Sequence, residues 1–285
     1  MIHFNVTPDF KTQCEIIEQI IRRYPCVHQS VIGKSLCGRN IHSLKIGLGN
    51  PCYLICAGFH GTEYLTVLAA LKFACDAAEM CQSGKLSSVI IVPCVNPDGT
   101  EIAVNGFASA GTYSRCAKHI CKDKDLWKAN ARGVDINHNF DACWQQVRKR
   151  EISLGITGPA CTRFGGCSPE SEPETQAITS LCNRISFKRV LALHSQGREI
   201  YWDFGSHTPK QCLALANRFA SVSGYKVASP EPIATGGGFK DWFIQRFHRC
   251  GFTVEMGLGE NPLPLSDFET EYPLVKAILT EFVSD

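Results

Sequence analysis

The chain of 285 residues has no apolar run near the roughly eighteen residues that a membrane-spanning helix needs. Its first residues, MIHFNVTPDF, show no basic segment followed by an apolar core, so no secretory leader is read there. No Cys-x-x-Cys occurs among the sixteen cysteines, which argues against a metal site built on thiolates. Many cysteines sit in apolar segments (Cys56, Cys75, Cys94, Cys182), as small buried hydrophobes do, and a chain this long needs no disulfide staples. The expectation is reduced thiols in a cytoplasmic protein. A formal charge of +2 leaves no electrostatic case for nucleic acid or an anionic membrane as partner. The densest basic cluster, Arg148-Lys149-Arg150, precedes Glu151 and reads as solvated surface. No repeat, low-complexity tract or linker interrupts the chain, so one domain is expected over residues 1–285, with no obligate protein partner evident.

What is present is organised around residues 51–66, PCYLICAGFHGTEYLT. The run Tyr53-Leu-Ile-Cys-Ala57 is too short for a helix and reads as a buried strand. His60 and Glu63 follow just past its end, where open α/β sheets place their sites. An imidazole and a carboxylate three residues apart can reach one cation, although alone the pair also fits a helix-capping Glu beside an unrelated His. A second strand pattern, Val190-Leu-Ala-Leu193, ends in His194, and a third, Phe252-Thr-Val254, ends in Glu255. Two His and one Glu could hold a zinc ion with a position open, and a spare carboxylate beside it suits hydrolysis.

Along the rest of the chain, residues 12–23 carry isoleucines at helical spacing up to Pro25, and 28–49 form a hairpin turning at Cys37-Gly-Arg-Asn40. A helix is expected over 64–81 and a strand from Ser88. Asn96-Pro-Asp-Gly99 is turn chemistry, and 100–150 reads as a long, partly irregular excursion. The acidic run at 168–175 opens a helix through Asn183, which makes Glu170, Glu172 and Glu174 helix-start residues. Residues 199–203 are strand or loop, 211–221 and the segment through Phe247 are helices, and 273–282 is a closing helix. The alternation implies an α/β fold with a mixed central sheet flanked by helices.

As a set, Lys34-Ser-Leu-Cys-Gly-Arg39, Gly58-Phe-His-Gly-Thr-Glu63, Asn96-Pro-Asp-Gly99, Gly133-Val-Asp-Ile-Asn137, His194-Ser195, Asp241-Trp242 and Glu255 resemble the carboxypeptidase A-like zinc metallopeptidases, over about residues 28–282. Longer strings are similar to the bacterial γ-D-glutamyl-meso-diaminopimelate peptidases: Trp127-Lys-Ala-Asn130, Leu193-His-Ser-Gln-Gly197, Glu199-Ile-Tyr-Trp202 and the segment 251–265. The resemblance implies one zinc on His60, Glu63 and His194, with Glu255 as general base and acid. It implies hydrolysis of the γ-D-glutamyl to meso-diaminopimelate bond in peptidoglycan stem peptides. Such enzymes often carry cell-wall-binding modules; none is read in these residues, which suggests a cytoplasmic enzyme of muropeptide recycling or sporulation.

Three positions depart from the family. The arginine that steadies the oxyanion after Trp127 is Lys128 here, with Arg132 nearby, and Arg132 is marginally favoured. The Asn-Arg pair that clamps a terminal carboxylate reads Asn137-His138, and the phenolic tyrosine is replaced by Ile233. Tyr201 or loop backbone would have to serve for the phenol, and Ser195 stands beside the metal ligand as a further substrate contact. Arg198, with only Glu199 as an obvious acid neighbour, is a candidate for a substrate carboxylate. An ordinary zinc carboxypeptidase on L-peptides is the alternative, though it calls for Arg at 138 and Tyr at 233. A deacylase and a catalytically dead binding protein are further readings; the hairpin with Asp241-Trp242 opposes the first, and the intact four-residue set opposes the second.

Overall fold

The computed structural model describes residues 2–50, 53–86 and 88–284, so Pro51 and Cys52, at the head of the organising stretch, lie outside the described residues. Strand pairing follows the apolar pattern. β1 (Val27–Lys34) and β2 (Asn40–Ile46) form the expected antiparallel hairpin. β3 (Tyr53–Cys56), β4 (Val89–Val92) and β5 (Arg189–His194) are buried throughout. β6 (Glu199–Tyr201), β7 (Lys226–Ala228) and β8 (Cys250–Glu255) complete one mixed sheet, in the order β1-β2-β4-β3-β5-β8-β6-β7. The four central strands, β4-β3-β5-β8, are parallel, so their C-terminal ends share one edge.

Parallel strands buried on both faces need helices on both faces. The chain supplies α1 (Phe10–Arg23), α2 (Tyr64–Gln82), α3 (Pro97–Asn105), α4 (Ser114–Ile120), α5 (Trp144–Ser153), α6 (Pro173–Arg184), α7 (Gln211–Ser223), α8 (Phe239–Phe247) and α9 (Phe268–Phe282). On β5, Leu191 and Leu193 face the layer of α1, α2, α7 and α9, while Val190 and Ala192 face α6 and α8. This period of two is what a doubly covered strand requires. Among the described helices none is long and apolar enough to cross a membrane.

Several expectations about local structure need correction. Asn96-Pro-Asp-Gly99 is the first turn of α3: Asn96 is the N-cap and its side chain accepts from Gly99 N at 2.8 Å, with Pro97 at the position where a missing N–H costs nothing. Residues 100–150 are not an irregular excursion. They hold α4, α5 and several 3-10 turns, and α4 with the turns beside it gathers over a small core of Ile102, Ala110, Ala117 and Trp127. Helix α6 begins at Pro173, later than 168, and α9 begins at Phe268 with Pro273 inside it. Cys212 and Cys250 form a disulfide between α7 and the first residue of β8, against the expectation that all thiols are reduced; the other described cysteines are free. The two are 38 residues apart, and only the packing of α7 beside β8 brings them together.

The Lys34-Ser-Leu-Cys-Gly-Arg39 motif ties the hairpin to α3. Buried Asp98 accepts from Ser35 Oγ (2.8 Å), Cys37 N (2.8 Å) and Arg39 Nη1 (2.7 Å). Under β8, Phe252 packs against Phe219 of α7 (ring centroids 5.0 Å apart) and Phe282 of α9 (6.4 Å). Phe252→Ala empties that space, and denaturant unfolding is expected to show a loss of about 3–5 kcal/mol.

Candidate active site

The chain leaves β3 and runs β4 on one side of it and β5 on the other, so a crevice opens at the C-terminal ends between them. His60 and Glu63 follow β3, and His194 is the last residue of β5. Glu255 ends β8 and is paired in register with His194. The turn between His60 and Glu63 is tight because Gly61 is pressed by two other segments. A Cβ on Gly61 would lie 2.3 Å from Gly99 O and 2.7 Å from Trp127 O, so only glycine fits. Gly61 N also donates to Lys128 O at 3.2 Å, which brings the Trp127-Lys128 segment to the crevice.

Glu63 is the hub of the polar network. Its Oε1 lies 2.8 Å from His60 Nδ1 and accepts from Lys128 Nζ at 2.9 Å. Its Oε2 lies 3.0 Å from His194 Nδ1 and accepts from Ser195 N at 3.2 Å. The other nitrogen of His60, Nε2, is 3.0 Å from Asp135 Oδ1. Asp135 sits inside the Gly133-Val-Asp-Ile-Asn137 motif, and its sequence neighbours alone give it no role. Its Oδ1 also accepts from Asn137 N (3.1 Å) and its Oδ2 from Arg163 N (2.8 Å). A carboxylate behind a metal-ligating imidazole is the usual orienting partner, and an Asp just ahead of Asn137 was the available signal.

The remaining candidate residues divide. A cavity of about 190 Å³ is lined by the His60, Glu63 and His194 set together with Lys128, Asn137, His138, Ser195, Tyr201 and Glu255. Asn137 Oδ1 accepts from Phe239 N, and His138 Nδ1 is 3.0 Å from Glu151 Oε1. Ser195 Oγ donates to Asn261 Oδ1 at 2.8 Å, and Tyr201 OH donates to Glu199 Oε2 at 2.7 Å. Arg132 and Arg198 line no part of this cavity. Arg132 forks onto buried Glu172 (2.8 and 2.7 Å), outside the cavity, whereas Lys128 stands in the cavity wall. Arg198 forks onto Glu271 of α9, an acid partner invisible from its sequence neighbours, and so is not free for a substrate carboxylate.

Burial and charge set the proton positions. Burial pushes Glu255 upward, the Glu63 charge adds to it, and its carboxyl rises to about 8 despite the opposing Lys128. Burial opposes the charged form of His60, but Glu63 and Asp135 outweigh it and raise the ring to about 10. His194 moves the other way, lowered by burial. Lys128 is raised, chiefly by the Glu63 charge.

Two imidazoles and a carboxylate have ligand atoms within 4.8 Å of one another. The Nδ1 atoms of His60 and His194 both face the carboxylate of Glu63, at 2.8 and 3.0 Å, so a nitrogen of each ring and the carboxylate oxygens converge. This donor set fits zinc, which favours nitrogen and oxygen ligands and keeps a position open in catalytic sites.

Without metal, His60 holds its proton at neutral pH, and a cation must displace it. The wild-type affinity for zinc is therefore expected to rise about tenfold per pH unit between roughly pH 6 and 8, with proton release seen by calorimetry. Asp135→Asn should weaken zinc binding by about 10–100-fold in the same titration, since the imidazole loses its orienting carboxylate.

The profile of the zinc carboxypeptidase family matches residues 14–274. The chain is 33% identical over 282 residues to the gamma-D-glutamyl-L-diamino acid endopeptidase 1 of Lysinibacillus sphaericus, covering 93% of this chain and 69% of that protein. It is 30% identical over 152 residues to murein peptide amidase A of Escherichia coli K12, covering 50% of this chain and 48% of that one. The fold superposes on bovine thrombin-activatable fibrinolysis inhibitor, solved with a tick carboxypeptidase inhibitor, with a TM-score of 0.78 at 21% identity, covering 98% and 97% of the two chains. With a family profile over residues 14–274 and a relative 33% identical over 93% of it, the chain belongs to the zinc carboxypeptidase family of metallopeptidases.

Proposed function

We propose that this protein hydrolyses the γ-D-glutamyl to meso-diaminopimelate amide bond of peptidoglycan stem peptides, with one zinc held by His60, Glu63 and His194. The observation that carries the reading is the convergence of those three ligands beside a separate carboxylate, Glu255, and a cation, Lys128, in one cavity. The names of the relatives, one a diamino acid endopeptidase and one a murein peptide amidase, supply the substrate class.

When bound, zinc supplies a Lewis acid for the scissile carbonyl and for water. Glu255 takes the proton of the attacking water and delivers it to the leaving amine; a carboxyl raised by burial is suited to both roles. Lys128 offers a point charge to the developing oxyanion, held in place by Glu63. Tyr201 lines the same cavity, its hydroxyl on Glu199, and offers a phenol to the substrate in the absence of one at Ile233. An ordinary L-peptide carboxypeptidase remains the second reading, favoured by the family profile and disfavoured by His138, whose ring is engaged by Glu151.

Incubation with L-Ala-γ-D-Glu-meso-diaminopimelate, its L-Lys counterpart and an ordinary L-tripeptide separates these. Release of free diaminopimelate is expected, and cleavage of the L-tripeptide alone would overturn the proposal. Glu255→Gln should keep its zinc while kcat falls by about 10²–10⁴-fold.

A further inference from the structure

Three cations line the cavity: Lys128, Lys240 and Arg163. Two of them spend their charge inside the protein. Lys128 donates to Glu63 at 2.9 Å, and buried Lys240 donates to Asp203 O at 2.7 Å and to Asp241 Oδ1. The guanidinium of Arg163 is exposed and makes no hydrogen bond or ion pair with any described residue. Its backbone is nonetheless held firmly. Arg163 has φ 66, a left-handed conformation that a side-chain-bearing residue adopts at a cost, and its N–H donates to Asp135 Oδ2 at 2.8 Å. The same carboxylate accepts from Asn137 N at 3.1 Å, so one side chain pins the Arg163 loop and the Asn137 turn together. The Nδ2 of Asn137 also has no partner among the described residues, while its Oδ1 is used by Phe239 N.

On the far side of Glu255 and Lys128 the cleft continues, with Glu199 and Glu231 in its wall. A carboxylate placed there meets like charge; at the Arg163 end it meets a free guanidinium and an amide N–H. The polarity of the cleft therefore sets the direction of a peptide carrying an acid on its leaving half. We propose that Arg163 takes a carboxylate on the leaving half of the substrate, replacing from another loop the arginine that the family has where this chain has His138. The inference rests on the peptidase reading above. An arginine fork can grip both oxygens of a carboxylate, which a lysine cannot.

Arg163→Asn removes the cation with a residue that tolerates the left-handed backbone, and Arg163→Lys keeps charge without the fork. Two readouts are taken on zinc-loaded protein: KM and kcat for L-Ala-γ-D-Glu-meso-diaminopimelate against the analogue with its diaminopimelate carboxylates amidated, and Kd for free meso-diaminopimelate by calorimetry. Arg163→Asn is expected to raise KM and Kd by about 10–100-fold, with kcat, zinc content and the amidated analogue little changed, and Arg163→Lys to recover part of the loss. Equal KM and Kd in wild type and variant, or a loss that falls equally on the amidated analogue, would overturn the assignment. If wild type binds diaminopimelate through Arg163 yet cleaves only ordinary L-peptides, the bond assignment fails while the clamp stands; if it releases diaminopimelate with no dependence on Arg163, the reverse holds.

Discussion

Everything in the site leans on the buried carboxylate of Glu63. It is 2% exposed, and it accepts or faces four groups: His60, His194, Lys128 and the Ser195 N–H. A carboxylate taken out of water is costly unless it is paired and hydrogen-bonded. Here burial alone would raise its pKa, but His60 and Lys128 outweigh that and hold it well below the usual carboxylate range. The partners come from three parts of the chain, so the charge is satisfied only when β3, β5 and the Lys128 segment have assembled. The fold and the metal site are in this sense one problem.

The part of the site that could be read from sequence is the part carried by strand ends. His194 and Glu255 each close a short apolar run and His60 follows one, and in a parallel sheet such ends meet at one edge. What could not be read depends on long-range pairing. Arg132 and Arg198 looked available because their acids, Glu172 and Glu271, lie 40 and 73 residues away. The disulfide of Cys212 with Cys250 was hidden for the same reason. The helices between 100 and 150 are too short to show a clear period, and helices of that length are held by tertiary packing, for α4 around Trp127.

The departure at position 138 is compensated locally. His138 and Glu151 form a buried pair, with Arg148 and the Gly165 N–H completing the carboxylate's partners. That packing keeps the loop in place without an arginine, and leaves recognition of an acidic group to other walls of the cavity. Two of the motifs that carry the family resemblance are scaffolding: Asp98 fastens the hairpin to α3, and Asp241 accepts from Gly236 N at 2.7 Å to fix the glycine turn that precedes α8.

The in-register pairing of His194 with Glu255 carries a wider meaning. Neighbouring strands of a sheet lie about 4.8 Å apart, a spacing dictated by peptide hydrogen bonding whatever the surrounding side chains are. The interval between the backbones of His194 and Glu255 is thus inherited from the sheet, whereas the cavity's outer walls are built from loops. Natural variation can remodel those walls to suit a new peptide while the reacting groups keep their separation, so this architecture lets selectivity drift without loosening the chemistry.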